Sequence, residues 1–110
     1  MSNSAPQLLL EDIIARANKI LTYTDGLSFE QLLSDDKAID AVIRNFEISG
    51  EVANRLPEEI RELYLNIDWH RIRGFRNRIV HDYMGIDYKI VWLTKEIFWA
   101  SMIAEIRNIL

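Results

Sequence analysis

The chain has 110 residues and a formal net charge of −4; 27% of its residues are charged, 49% are hydrophobic, and glycine and proline are scarce. This balance predicts one compact, helix-rich domain spanning residues 1–110 and excludes a disordered chain. The absence of cysteine excludes disulfides, iron–sulfur clusters and thiolate zinc sites, and the absence of any apolar run near the ~20 residues that cross a bilayer predicts a cytoplasmic protein that contacts no membrane.

The first half of the chain has the spacing of amphipathic helices. Apolar residues recur every three or four positions from Gln7 to Thr22, and again from Asp36 to Arg55, which predicts two long helices. Between them, Ser28 followed by Gln31 has the pattern of a capping box that opens a short helix. Another short helix is predicted from Pro57 to Tyr64, because proline suits a first helical position.

The second half predicts a basic helix and then a long last helix. From Trp69 to Tyr83, after an N-cap at Asp68, apolar residues keep helical spacing, and Gly85 is expected to end this helix. The last helix is predicted from Tyr88 to Leu110, after an N-cap at Asp87. No segment has the alternating pattern of a strand. The sequence therefore predicts an all-α fold, an antiparallel four-helix bundle with short extra helices.

The last predicted helix is apolar on more than one side. One stripe contains Ile90, Ile97 and Ala104, and a second stripe contains Trp92, Trp99, Ile103, Ile106 and Leu110. A four-helix core that wraps this helix almost completely is one explanation. The other, which we favour, is that the second stripe is the contact of a symmetric dimer.

Positive charge is concentrated in one segment of this acidic chain. Arg71, Arg73, Arg76 and Arg78 fall within residues 71–78 with no acid among them, which leaves a charge of −8 on the remainder. Most of the surface should repel phosphate, so any contact with a polyanion is expected to be local.

His81 and Tyr83 follow this basic segment, and the chain offers few other reactive groups. Its two histidines lack the ligand spacing of a metal site, and glycine-rich nucleotide signatures are absent. Arg76 can hold a phosphate and His81 can transfer a proton, which is sufficient for attack of an RNA 2′-hydroxyl on its own 3′-phosphate. On a helix the two residues point about 140° apart, so they converge only in a groove or across a twofold axis. The alternative is that the basic helix is a solvated face and that His81 and Tyr83 are packing or capping residues.

The segment IDWHRIRGFRNRIVHDYMGID, residues 67–87, resembles the signature of the HEPN superfamily, and specifically of its HepT-like toxins. That signature is arginine, four residues, histidine, one residue and tyrosine, and it is matched by Arg76, Asn77, His81 and Tyr83. The segment ISGEVANRLPEEIR, residues 48–61, is also similar to these proteins, and the length and helix order agree over nearly the whole chain.

The resemblance implies a dimeric helical bundle whose motif helices line one cleft, and a metal-independent endoribonuclease that needs no cofactor, with Arg76 and His81 as the catalytic pair. It also implies a partner, the MntA-like nucleotidyltransferase antitoxin of a two-gene toxin–antitoxin system, which transfers AMP to Tyr83. A nucleotide group on that tyrosine would block the cleft and repel RNA phosphate.

The neighbours of the catalytic pair divide into expected RNA contacts and expected core residues. The RNA contacts, where the RNA is mRNA or tRNA, are Arg73, Asn77 and Arg78. The core residues are Trp69, Phe75 and Ile79. The alternative function is a noncatalytic HEPN module that binds a nucleotide or a partner protein through the same groove.

Overall fold

The computed structural model describes residues 5–75, 80–81 and 85–110, and of residues 80 and 81 it describes the backbone alone. In chain order, the helices within these residues are α1 (Ala5–Thr24), α2 (Phe29–Leu33), α3 (Asp36–Arg55), α4 (Glu58–Leu63), α5 (Trp69–Arg73), α6 (Tyr88–Ile97) and α7 (Trp99–Ile109). Two short strands, β1 (Val80–His81) and β2 (Gly85–Ile86), form an antiparallel pair. The structure is an all-α helical bundle, as the sequence predicts.

Helices α1 and α3 pack side by side and form the centre of the bundle. Their apolar stripes meet through Ile13 and Ile20 on α1 and Val42 and Phe46 on α3, all of which are completely buried. The predicted bounds of α3 are confirmed, and α1 extends two residues beyond its prediction at each end. Local capping starts α3, because the Asp35 carboxylate accepts a hydrogen bond from the Ala38 backbone N–H at 3.0 Å.

The connections on either side of α3 are stabilised by side-chain to backbone hydrogen bonds. Ser28 and Gln31 form the predicted capping box of α2, with Ser28 Oγ accepting from the Gln31 N–H at 3.1 Å and Gln31 Oε1 accepting from the Ser28 N–H at 2.8 Å. At the other end of α3, the guanidinium of Arg61 on α4 donates to the carbonyl oxygens of Ala53 and Leu56. A cation there satisfies the last carbonyls of the helix and fixes the turn into α4.

The prediction of one helix from Tyr88 to Leu110 is wrong, because Phe98 separates α6 from α7. Thr94 Oγ1 donates to the Ile90 carbonyl oxygen at 2.7 Å, one turn before the interruption. A threonine hydroxyl that bonds back to the preceding turn bends a helix, because it competes with the backbone for that carbonyl. The bend lets two consecutive aromatic residues, Phe98 and Trp99, both pack against the core aromatic cluster around Phe75.

The assignment of the second stripe to a dimer contact is also wrong for its central residues. Trp99 and Ile106 are completely buried, and only 5% of Ile103 is exposed. The indole N–H of Trp99 donates to the carbonyl oxygen of Ala17 in the middle of α1 at 3.1 Å, where the small alanine leaves room for the ring. The core of one chain therefore covers the centre of this stripe, whereas an exposed apolar surface lies on the other side of α6, where 75% of Ile97 is exposed.

A third correction concerns the basic helix predicted from Trp69 to Tyr83. Helix α5 ends at Arg73, where the Gly74 N–H closes onto the His70 carbonyl oxygen at 3.0 Å. His81 lies in β1, opposite Gly85 of β2, so the expectation of no strand is wrong as well. Gly85 does not end a helix; its φ of +77° is in the left-handed region, which glycine adopts without steric cost, and it belongs to the strand pair.

Candidate functional site

The structure describes the two flanks of the motif more fully than the motif itself. Arg76, Asn77, Arg78 and Tyr83 lie outside the described residues, as does Ile79, so their roles remain predictions. The backbone of His81 is in β1, so the prediction that His81 lies on the face of a helix is wrong. The described flanks are α5 with its neighbours before the motif, and β2 with α6 after it.

Helix α5 is anchored to the core by its apolar residues. Trp69 is 6% exposed, Ile72 is completely buried and Phe75, just beyond the helix, is 1% exposed. The Trp69 indole N–H donates to the Tyr64 carbonyl oxygen at 3.1 Å, and the predicted N-cap is confirmed, because Asp68 accepts from the Arg71 backbone N–H at 3.0 Å. The core assignments of Trp69 and Phe75 are thereby confirmed, and the basic side chains of α5 are left at the surface.

Phe75 fixes the chain immediately before Arg76. Its ring lies edge-on to Phe46 of α3, with centroids 5.2 Å apart, and 5.0 Å from the ring of Trp99 on α7. Such aromatic contacts stabilise a pair by about 0.5–1.5 kcal/mol beyond burial alone. The residue directly before the first motif residue is therefore held at a defined place in the core.

Glycine at position 50 allows α3 and the end of α5 to approach closely. A Cβ atom on Gly50 would lie 3.0 Å from the carbonyl oxygen of Ile72 and 3.4 Å from that of Arg73. A side chain at this position would push α5 away from α3. Gly50 was not predicted as a site residue, although an isolated glycine inside a helical pattern is a signal of close packing.

The two arginines of α5 have different surroundings. Arg71 Nε lies 3.6 Å from a carboxylate oxygen of Asp68, and its guanidinium carbon lies 4.7 Å from the ring centroid of Phe98. Arg73 is exposed, and its Nε donates to the side-chain oxygen of Asn54 on α3 at 2.6 Å. No ion pair with Arg73 forms among the described side chains. Arg71 is thus partly neutralised and stacked, whereas Arg73 keeps its full charge at the surface.

After the motif and β2, Asp87 starts α6. Its carboxylate accepts a hydrogen bond from the Ile90 N–H at 3.1 Å and caps α6, as the sequence predicts. Beside α5, this helix borders a cavity of about 240 Å³, whose lining residues are Arg71, Ile90, Leu93, Thr94, Ile97 and Phe98. The cavity has one cation and otherwise largely apolar walls, so it is suited to an apolar or aromatic group better than to a phosphate.

A larger cavity, of about 560 Å³, lies at the start of α3 and is lined by Glu30, Gln31, Ser34, Asp35, Asp36 and Lys37. Its three carboxylates and the single lysine give it a negative charge, so it would repel a nucleic acid. Neither Arg71 nor Arg73 of α5 lines this cavity.

Within residues 5–75, 80–81 and 85–110, no three histidine, aspartate or glutamate side chains gather as a metal site would require. None of the helices in the described part of the chain combines the length and apolarity that a membrane crossing requires.

Comparison with known proteins identifies relatives along most of the chain. The sequence model of a family described as "Ribonuclease HepT-like" matches residues 13–109. A protein of Caldanaerobacter subterraneus named "Putative RNase TTE0752" is 36% identical over 81% of this chain and 80% of its own. "Putative RNase MJ0127" of Methanocaldococcus jannaschii is 35% identical over 76% of this chain and 69% of its own. "Probable ribonuclease HepT" of Thermococcus cleftensis is 35% identical, over 77% of each chain. No solved structure matches significantly.

Proposed function

Because this chain belongs to the ribonuclease HepT-like family of the HEPN superfamily, we propose that it is a metal-independent endoribonuclease. The observation that carries the proposal is that the family match over residues 13–109 includes Arg76 and His81, separated by the four residues of the family signature. The names of the relatives point to the same substrate class, because each of the three is called a ribonuclease.

The proposed reaction is an internal phosphoryl transfer on RNA. A base removes the proton of a 2′-hydroxyl, the 2′-oxygen attacks the adjacent phosphorus, and the bond from phosphorus to the 5′-oxygen breaks. The products are a 2′,3′-cyclic phosphate and a 5′-hydroxyl that has taken up a proton. His81 supplies the proton transfer, as acid or base, and the Arg76 guanidinium binds the nonbridging oxygens whose charge grows in the transition state.

The described flank of the motif supports local RNA binding. Arg73 carries a positive charge, not offset by an ion pair with any described residue, at the surface of a chain that is strongly acidic outside its basic segment. The burial of Phe75 holds the residue directly before Arg76 in place. With Asn77 and Arg78, Arg73 forms the proposed phosphate-contacting set. We propose mRNA or tRNA as the substrate class, and hence the cytoplasm as the place of action.

The exposed apolar side of α6 supports a homodimer. Ile97 and Leu93 are 75% and 44% exposed, and they border the cavity that Arg71 of α5 also lines. Burying this surface against a second copy would place it next to the basic flank of the motif. A dimer of this kind would bring the two motif segments towards a common cleft, as the resemblance to HepT-like toxins implies.

We further propose that the protein is the toxin of a two-gene system, neutralised by an MntA-like nucleotidyltransferase that transfers AMP to Tyr83. The two-residue step from His81 to Tyr83 supports this, because a nucleotide attached at Tyr83 would add bulk and negative charge beside the reacting phosphate. Mass spectrometry of protein produced with and without such a partner tests the proposal, and AMP on a residue other than Tyr83 would contradict it.

Cleavage of total RNA in the presence of chelator tests the enzyme activity. Arg76→Ala and His81→Ala are expected to abolish cleavage, whereas Arg107→Ala, which removes an exposed arginine from α7, should leave it unchanged. All three variants should retain the melting temperature of the parent. Undiminished cleavage by both Arg76→Ala and His81→Ala would refute the ribonuclease proposal. Absent cleavage by the parent, combined with tight nucleotide binding, would favour the noncatalytic HEPN module instead.

A further inference from the structure

The hydrogen bond from Arg73 to Asn54 joins two elements that are distant in sequence. Arg73 Nε and the Asn54 side-chain oxygen are 2.6 Å apart and belong to residues 19 positions apart, at the ends of α5 and α3. Each end is held by a buried neighbour, Ile72 beside the arginine and Ala53 beside the asparagine. The close approach at Gly50 sets the distance between the two helices. The donor and acceptor are therefore brought together by the packing of the helices.

The atoms used by this bond leave the rest of the guanidinium available. Arginine has five N–H donors arranged in a rigid fork, and Nε supplies one of them. When Nε is engaged, the edge formed by the two terminal nitrogens can still hold two phosphate oxygens at once. The bond to Asn54 also limits rotation of a long side chain that would otherwise move freely in water, so less freedom is lost when a phosphate binds.

The acceptor is uncharged, and this distinguishes Arg73 from its neighbour Arg71. Arg71 Nε lies 3.6 Å from the Asp68 carboxylate, which partly offsets its charge toward a ligand, and its guanidinium lies against Phe98. An amide oxygen directs Arg73 without cancelling its charge. In a chain that carries −8 outside its basic segment, an oriented cation with its full charge is a strong local attractor for phosphate.

We infer that Asn54 is a positioning residue for RNA binding: its amide oxygen orients Arg73 so that the terminal nitrogens of the guanidinium bind a backbone phosphate of the substrate, beside the motif. This inference rests on the proposed ribonuclease function and extends it to a residue of α3. Asn54 does not contact the reacting atoms and acts through Arg73.

A double-mutant cycle tests this role. Binding is measured with a fluorescent, mixed-sequence single-stranded RNA on proteins that also carry His81→Ala, so that the RNA stays intact. Asn54→Leu, which removes the acceptor at similar volume, is expected to weaken binding by about three- to tenfold. Arg73→Gln should weaken binding further and make the slope of log affinity against log salt shallower by about 0.7, the value for one phosphate contact on a single strand.

The decisive result is the effect of Asn54→Leu in the Arg73→Gln background. A positioning residue has no arginine left to orient there, so the second substitution should change affinity by less than about twofold. In the active protein, Asn54→Leu should raise KM and leave kcat within about twofold, because the bond acts on binding and not on the reacting atoms. Asn108→Leu, which changes an exposed asparagine on α7, is the matched control and should have no effect.

The outcomes separate the inference from the proposed function. Equal weakening by Asn54→Leu in both backgrounds, or a matching loss of melting temperature, would mean a structural role and would overturn the inference. Unchanged RNA affinity of Asn54→Leu, when the parent binds RNA, would overturn it as well and leave the ribonuclease proposal standing. A parent protein that neither binds nor cleaves RNA would overturn both.

Discussion

Replacing Gly50 with alanine tests whether the close approach of α3 and α5 is tight. In a helix interior, alanine is favoured over glycine by about 1 kcal/mol. Here the added Cβ would lie 3.0 Å from the Ile72 carbonyl oxygen and 3.4 Å from that of Arg73, so the end of α5 would have to move by a few tenths of an ångström. Ile72 is completely buried and cannot shift without disturbing the core.

The steric cost is expected to exceed the propensity gain. Overpacking in a close-packed interior costs about 1–3 kcal/mol, so Gly50→Ala should lose about 1 kcal/mol of unfolding free energy after the gain is subtracted. For a chain of this size that corresponds to a melting temperature lower by about 5 °C. RNA affinity should fall too, because the displaced end of α5 carries Arg73 away from Asn54.

Urea unfolding followed by tryptophan fluorescence measures the unfolding free energy of Gly50→Ala. A pair of variants at an exposed position of α3 measures the difference in helix propensity between alanine and glycine alone. Arg44 is exposed on α3, so Arg44→Ala should be about 1 kcal/mol more stable than Arg44→Gly, with no steric term. At position 50 the order should reverse, so that the glycine protein is more stable than the alanine variant. The urea m-value should be the same for both. The contact would prove loose if Gly50→Ala raised the unfolding free energy by as much as Arg44→Ala exceeds Arg44→Gly. In that case α5 moves freely, and the predicted steric cost at Gly50 is refuted.

Three further predictions concern stability and assembly. Asn45 is 6% exposed, and its side-chain oxygen has no hydrogen-bond partner in the described part of the chain. Asn45→Leu should therefore raise the unfolding free energy by about 1 kcal/mol. A fall in the urea midpoint would indicate instead that a buried water binds this oxygen. Asp35→Ala should lower stability by about 1 kcal/mol through loss of the α3 cap, whereas Asp35→Ser should retain most of it, and equal losses would contradict a capping role. Ile97→Ser should convert the proposed dimer to a monomer in light scattering, whereas Leu65→Ser, at a side chain 79% exposed elsewhere, should leave the dimer intact. A monomeric parent would remove the dimer proposal.

Local chemistry made several helix starts predictable from the sequence. The caps at Ser28, Asp68 and Asp87 each act over three positions, so neighbouring residues alone decide them. The bounds of α3 were predictable for the same reason, because its apolar stripe is uninterrupted and both of its ends carry local signals.

The features that could not be predicted depend on partners far along the chain or on very short elements. The strand pair containing His81 has two residues on each side, too few to show an alternating pattern. Periodicity showed that the last helix has two apolar sides, but it could not show that Trp99 would pack against Ala17 while Ile97 stayed exposed.

The supporting residues of the site were hidden from the sequence analysis for a related reason. The contact between Arg73 and Asn54 exists because Gly50 lets two helices approach each other, and no local pattern announces a hydrogen bond across 19 positions. The resemblance did draw attention to residues 48–61, the segment that holds both Gly50 and Asn54, without assigning either of them a role.

The indole of Trp99 has a consequence for the order in which the protein folds. Its hydrogen bond reaches a carbonyl 82 positions earlier, whereas α1 and α3 are joined by a short connection and can pair early. Closing so long a loop is entropically costly and slow, so we expect a kinetic intermediate in which the paired helices present an open apolar seam until α7 arrives. Because the chain has three tryptophans, a variant with Trp69 and Trp92 replaced by phenylalanine would let the fluorescence of Trp99 alone report the final closure in stopped-flow refolding.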